Sequence, residues 1–100
     1  MKLDWKHVCV KIIDSFDLLK QLLREKAFCS ENRICIPDPP YLIEILKKEE
    51  LIVLRKNEDI AIVGREGLKS FCANEDDIRV LEEWCLALST LSFRRYIARK

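Results

Sequence analysis

The sequence predicts an α+β fold, with long N- and C-terminal helices packed with a central helix and a β-hairpin. Three observations predict it. Apolar residues recur at alternating spacings of three and four near both ends of the chain. A proline-led apolar run occupies residues 39–50. Two short runs rich in β-branched residues, LIVLRK and IAIV, then follow around NED.

The N-terminal helix is expected over residues 5–27. Asp4 can cap it, and Trp5, Cys9, Ile12, Phe16, Leu19 and Leu23 form a seam. That spacing is the stripe of a packed helix. Val8, Ile13 and Leu22 widen the stripe toward a globular core face. Ser15 offers a point where the helix could divide in two. His7, the sole histidine, falls off the seam beside Lys6 and Lys11 and reads as a surface residue.

The helical pattern stops at FCSENRICIPD. Residues 33–36 are short, β-branched and bounded by turn residues, so they read as a strand that could add a third to the hairpin. Asp38-Pro39-Pro40 then reads as a helix start, because proline is tolerated in a first turn whose N–H groups are unpaired anyway. The expected helix over 39–50 buries Leu42, Ile45 and Leu46, and turns Tyr41, Glu44, Lys47 and Lys48 outward.

The hairpin is expected from Leu51–Arg55 and Ile60–Val63. Ile52 and Leu54 should share one face, as should Ile60 and Ile62, and Asn57 suits the turn by tolerating positive φ. A short helix over 65–71 should bury Leu68 and Phe71. The run IEILKKEELIVLRKNEDIAIVGREGLKSF resembles the helix-to-wing segment of winged helix-turn-helix regulators of the MarR, ArsR and PadR kind. In that resemblance Ile45-Leu46 stand for the buried helix pair, Leu51-Ile52 open the wing and Gly67 closes it. The resemblance implies a winged-helix-like domain that binds double-stranded DNA and regulates transcription. The contacts it implies are Tyr41, Lys47 and Lys48 on the helix and Arg55 and Lys56 at the wing.

The C-terminal helix is expected over 75–98, opened by Asn74 with Asp77 in a capping-box arrangement. Leu81, Trp84, Leu88 and Leu91 face the N-terminal seam, and Cys85 widens that face. Leu86, Phe93 and Ile97 form a second stripe, which another subunit would cover, so a homodimer is expected. The tail carries Arg94 and Arg95 in the densest positive stretch of the chain, and these join the expected DNA contacts.

One hundred residues make one domain, 1–100, and 49% hydrophobic with 35% charged residues is a globular composition. The net charge is +1, so no overall basicity argues for nucleic acid. Residues 41–77 hold six basic and nine acidic side chains, which motivates a protein-interaction module as the alternative. Two glycines exclude a Gly-rich phosphate loop. No apolar run of ~18 residues suggests a membrane span, and the N-terminus does not resemble a signal peptide, so a cytoplasmic protein is expected. One histidine and no supported catalytic or metal-ligand spacing point to a non-enzyme without metal or cofactor. Five cysteines cannot all pair internally. Cys29 and Cys35 could form a small-loop disulfide, half a metal site or two free thiols. Cys9 and Cys85 fall on core stripes and read as small hydrophobes.

Overall fold

A computed structural model describes residues 3–91. Two helices, α1 (Trp5–Asp14) and α2 (Phe16–Leu23), precede six strands: β1 (Phe28–Cys29), β2 (Arg33–Asp38), β3 (Tyr41–Leu46), β4 (Leu51–Lys56), β5 (Glu58–Gly64) and β6 (Gly67–Ser70). The helix α3 (Glu75–Thr90) closes the described chain. The strands form one antiparallel meander in the order β1-β2-β3-β4-β5-β6. This overturns the winged-helix-like fold class: the chain is built on a six-stranded sheet, not on a helical core with a small wing.

The N-terminal stripe is continuous across a break in the helix. Asp4 accepts the His7 backbone N–H at 3.2 Å and caps α1. Ser15 ends α1, and its carbonyl accepts the Leu19 N–H of α2 at 2.8 Å. Cys9, Ile12, Phe16, Leu19 and Leu23 are buried on both sides of this joint. At the other end Asn74 and Asp77 form a full capping box, and Leu81, Trp84, Cys85 and Leu88 of α3 are buried. Leu91 takes the left-handed conformation that ends α3 and is exposed.

Residues 39–50 are not a helix. The Pro39–Pro40 peptide is cis, and the chain reverses there to pair β2 with β3, Asp38 opposite Tyr41. The run YLIEIL fits both periods, because Leu42, Ile45 and Leu46 satisfy helical spacing while Ile43 and Ile45 satisfy alternation. The sheet selects alternation: Ile43 and Ile45 enter the core between Ile34 and Ile36 of β2 and Ile52 and Leu54 of β4. A turn at 47–50 follows, with Glu50 at φ 58°.

The hairpin is tighter than expected. Asn57, at φ 72°, stands alone between Lys56 and Glu58, which already pair. Leu54 then pairs with Ala61 while Arg55 pairs with Asp59, so Ile60 is an extra residue in β5. Such a bulge puts neighbouring residues on one side of the sheet. Ile60 and Ala61 are both buried, and Ile62 is displaced to the opposite face from Ile60, against the expected pairing of the two.

The expected helix at 65–71 is the edge strand β6, with Leu68 opposite Val63 and packed on the core, and Phe71 exposed. Gly67 begins it at φ +103°. A Cβ there would come no closer than 3.8 Å to Lys6, an ordinary contact, so the backbone angle alone constrains the position. Gly67→Ala should therefore cost about 1–2 kcal/mol in urea unfolding, the usual cost of forcing a side chain into positive φ. An unchanged midpoint would show that β6 can relax without loss.

Candidate binding surface on the open face of the sheet

Side chains alternate between the faces of a strand, so one register places every residue of the meander. All three helices contribute to the core that covers one face, with Ile34, Ile36, Ile43, Ile45, Ile52, Leu54, Ala61 and Val63 turned into it. The other face carries no helix among the described residues. Cross-strand partners arrange it in three rows. The first runs Arg33–Leu46–Leu51 and ends at Gly64, where Leu51 lies across the glycine. The middle row is Phe28–Cys35–Glu44–Val53–Ile62–Lys69. The third is Pro37–Leu42–Arg55–Asp59.

An uncovered antiparallel face ordinarily carries polar side chains. This one is mainly apolar, and Val53 in its middle row is only 5% exposed although no element among the described residues covers it. Glu44 stands beside Val53 and is 2% exposed. A buried carboxylate must be paired to persist. Arg33 and Arg55, its diagonal neighbours on β2 and β4, do this. Arg33 Nε donates to Glu44 Oε2 at 2.7 Å and its NH2 group binds the same oxygen, while Arg55 NH2 reaches Oε1 at 3.0 Å. Arg55 Nε also donates to Asp59 Oδ1 at 2.8 Å. The Cys35 thiol contacts Glu44 Oε2 at 3.5 Å, and burial, followed by the Glu44 charge, raises its pKa. No buried side-chain N or O among the described residues lacks a hydrogen bond.

At one end of this face the turns at 47–50 and 65–66 frame a groove lined by Glu49, Glu50, Glu66, Arg65, Gly64 and Lys69. Leu51, lying across Gly64, forms part of its floor. Arg65 pairs with Glu50 across it.

A second polar cluster ties α3 to the opposite end of the sheet. The Tyr41 hydroxyl donates to Asp77 Oδ1 at 2.6 Å, and Lys56 Nζ lies 3.5 Å from the same oxygen and over the Tyr41 ring. Trp84 Nε1 donates to Asp38 Oδ2 at 2.7 Å. The Tyr41 hydrogen bond, with the Asn74 backbone N–H, holds the Asp77 carboxyl below its usual pKa, and the same bond pushes Tyr41 up to about 12. These groups make a structural clamp.

The expected DNA contacts are thereby distributed. Tyr41 and Lys56 meet in this clamp. Lys47 and Lys48 sit at the other end of β3, where Lys47 pairs with Asp17 at 3.4 Å and Lys48 is exposed. Arg55 belongs to the Glu44 cluster. Of the expected dimer stripe, Leu86 is exposed on α3, while Phe93 and Ile97, like Arg94 and Arg95, lie outside the described residues. The sequence reading turned Glu44 outward on a helix and so missed its cluster. A signal was present: Arg33, Glu44 and Arg55 are spaced eleven apart, as diagonal neighbours on successive hairpin strands can be.

Cys29 and Cys35 cannot form the small-loop disulfide in this register. Cys29 opposes the core residue Ile34, and Cys35 opposes Phe28 on the open face, so they stand on opposite sides of the sheet. All five cysteines are free, and no described group of His, Cys, Asp or Glu is arranged to hold a metal. Burial pushes Cys85 up to about 12, with the Cys9 thiol adding to the shift.

Fold and surface together define a small α+β protein whose antiparallel sheet, among the described residues, is covered by helices on one face. The chain belongs to the Archaeoglobi AF1636 family, whose model matches residues 1–100. It is 33% identical over 98 residues to an Archaeoglobus fulgidus protein described as uncharacterized, an alignment covering 95% of this chain and 99% of that one. No solved structure matches. The resemblance to MarR, ArsR and PadR regulators is overturned by the family match and by the sheet. No helix among the described residues is long and apolar enough to cross a membrane.

Two measurements test the site. Tyr41→Phe should cost about 1.5–3 kcal/mol at neutral pH, the range for a hydrogen bond to a charged group. Asp77 is lowered from 3.8, so its share is present above that pH and lost as pH falls through the lower folded value. Tyr41 is raised from 10.0 to about 12, so its share is present below pH 10.0 and lost as pH rises toward about 12. The gap between wild type and variant should thus be flat between these limits and close at both ends; a gap independent of pH would rule out the hydroxyl–carboxylate bond. In thiol titration of the native protein, exposed Cys29 and Cys72 should react first and half-buried Cys35 slowly, with Cys9 and Cys85 reacting only on unfolding. Fast labelling of Cys85 would contradict its burial.

Proposed function

We propose that this chain is a protein-interaction module whose working surface is the open face of the sheet, and that it acts by binding without a chemical step. One observation carries the reading. The face is apolar, and the charges at its centre neutralise one another within the chain. Covering a surface costs little when each charge on it already has its counter-charge and hydrogen bonds, and much when a charge is left unpaired. Arg33, Glu44, Arg55 and Asp59 meet the first condition. Leu42, Leu46, Leu51, Val53 and Ile62 supply the apolar contact.

Contact with duplex DNA is the weaker proposal. Phosphate binding needs cations that are free to neutralise it. Lys47, Arg55 and Lys56 are each engaged by a carboxylate within the chain. Exposed Lys48 is what favours this reading.

A photo-crosslinking amino acid at position 62, on the open face, should give a crosslinked protein product in the native cell. The same group at position 18, exposed on α2, should give none. Equal yields at the two positions, or no product at position 62, would defeat the assignment of the face.

A further inference from the structure

We infer that the outer edge of β6 is a docking site for an extended, acidic peptide segment of another protein, which joins the sheet as an antiparallel seventh strand. The site is on the rim of the sheet and does not depend on the reading of the open face. β6 is the last strand of the meander and has a hydrogen-bonded neighbour, β5, on one side only. Gly64 and Gly67 pair across the two-residue turn Arg65-Glu66, and in such a hairpin the closing pair exchanges both main-chain hydrogen bonds. Bonded and non-bonded pairs then alternate, so Gly67 and Lys69 turn their N–H and C=O groups toward β5. Phe71 keeps the phase, because its N–H donates to the Ile60 carbonyl at 2.9 Å. Leu68 and Ser70 therefore turn theirs outward, where no described strand meets them.

The two edges of the sheet are unlike. At the other edge β1 is two residues long, and β2 continues past it into Pro37, which has no N–H to offer. Shortness and proline are usual means of closing an edge to a further strand. β6 has no proline, and the exposed Phe71 ring follows it. Its one charged residue is Lys69. A lone lysine on an edge strand repels most strands, but it attracts one that brings a carboxylate to the same place.

Lys69 thus selects the partner. A second copy of this chain would use both outward residues only by setting Leu68 opposite Ser70 and Ser70 opposite Leu68. The centre of that pairing is Lys69 against Lys69, and like charges directly opposite on neighbouring strands are destabilising. A strand with Asp or Glu in that position reverses the sign of the contact. Lys69 enters no salt bridge among the described residues, and its ammonium lies over the Phe71 ring, 5.8 Å from the centroid. Lys6 of α1, whose side chain borders Gly67, adds a second cation without a salt bridge on the helical side. The acidic residue nearest in sequence, Glu66, lies in the turn and not on the strand. Antiparallel pairing is the more stable arrangement per residue. In that direction the residue two before the carboxylate comes beside Phe71, on the same face, and an apolar side chain suits it. The segment recognised is therefore extended, with an apolar residue, any residue, then Asp or Glu.

The probes are two synthetic peptides of alternating threonine and valine, Thr-Val-Thr-Glu-Thr-Val-Thr and the same peptide with lysine at its centre. In NMR titration of the full chain at low salt, the glutamate peptide should bind at least ~10-fold more tightly than the lysine peptide. At saturation, hydrogen exchange at the Leu68 and Ser70 amides should slow by at least ~10-fold, while the Lys69 amide, already paired with Ile62, should not change. Methylating the backbone nitrogens of the two threonines beside the glutamate, which would donate to β6, should abolish binding; methylating that of the glutamate should not. Lys69→Glu, a change at an exposed side chain, should reverse the preference between the peptides. No binding of either peptide at ~1 mM, where even weak association is seen, would overturn the inference. So would equal affinity for the two peptides, a preference unchanged in Lys69→Glu, or unaltered exchange at Leu68 and Ser70. Amides of Leu68 and Ser70 already protected in the free chain would show the edge to be covered and would overturn it as well.

Discussion

A pleated sheet six strands wide has two faces of similar area, and α1, α2 and α3 lie on one of them. The helical stripes of Cys9, Ile12, Phe16, Leu19, Leu23, Leu81, Trp84 and Leu88 suffice to bury one set of alternating strand residues. The described chain has no further helix with which to bury the other set. Everything distinctive about the molecule follows from that shortage. The uncovered residues must be tolerable in water, yet the chain places Leu42, Leu46, Leu51, Val53 and Ile62 there. Such a composition suits a surface that is covered in assembly better than one that stays wet.

Two carboxylates show how the chain handles charge at its two ends. Glu44 is buried on the open face and is met by two guanidinium groups from neighbouring strands. Asp77 is buried where α3 joins the sheet and is met by a hydroxyl, a backbone N–H and a lysine. The second arrangement fixes the entry of α3 and contributes to stability. The first does something else, since two half-exposed arginines balanced by Glu44 and Asp59 leave a patch that is neutral at its centre and ready to be desolvated. The same strand, β3, supplies Tyr41 to one arrangement and Glu44 to the other. Loss of β3 would dismantle both.

The errors of sequence reading fall where two periodicities overlap. In YLIEIL the apolar residues occupy nearly every position, so helical and alternating patterns both fit. Pro39 and Pro40 open a helix as readily as they form a turn between strands. The register of β4 with β5 was also hidden, because the extra residue at Ile60 is defined by its partners on β4 and not by its own neighbours. Spacing left three states open for Cys29 and Cys35, and the free thiols found are one of them. Whether Cys29 and Cys35 can meet depends on which face each occupies, and pairing, not spacing, decides that.

The presence of helices at both ends, most of their buried stripes, the capping box of Asn74 and Asp77 and the positive φ of Asn57 were legible in the chain. The single helix expected over 5–27, by contrast, divides at Ser15 and ends at Leu23, and α3 ends at Thr90 with Leu91 exposed. Each legible feature depends on contacts within a few residues or on one period sustained over several turns. The tertiary structure alone decided that residues 39–50 and 65–71 are strands, that Ile60 and Ile62 part company, and that Arg33, Glu44 and Arg55 converge. Those outcomes depend on hydrogen bonds between strands, and a strand's partners are chosen by the sheet it joins. The open face has the same origin. Its residues lie scattered from 28 to 69 and become one surface only when six strands are set side by side.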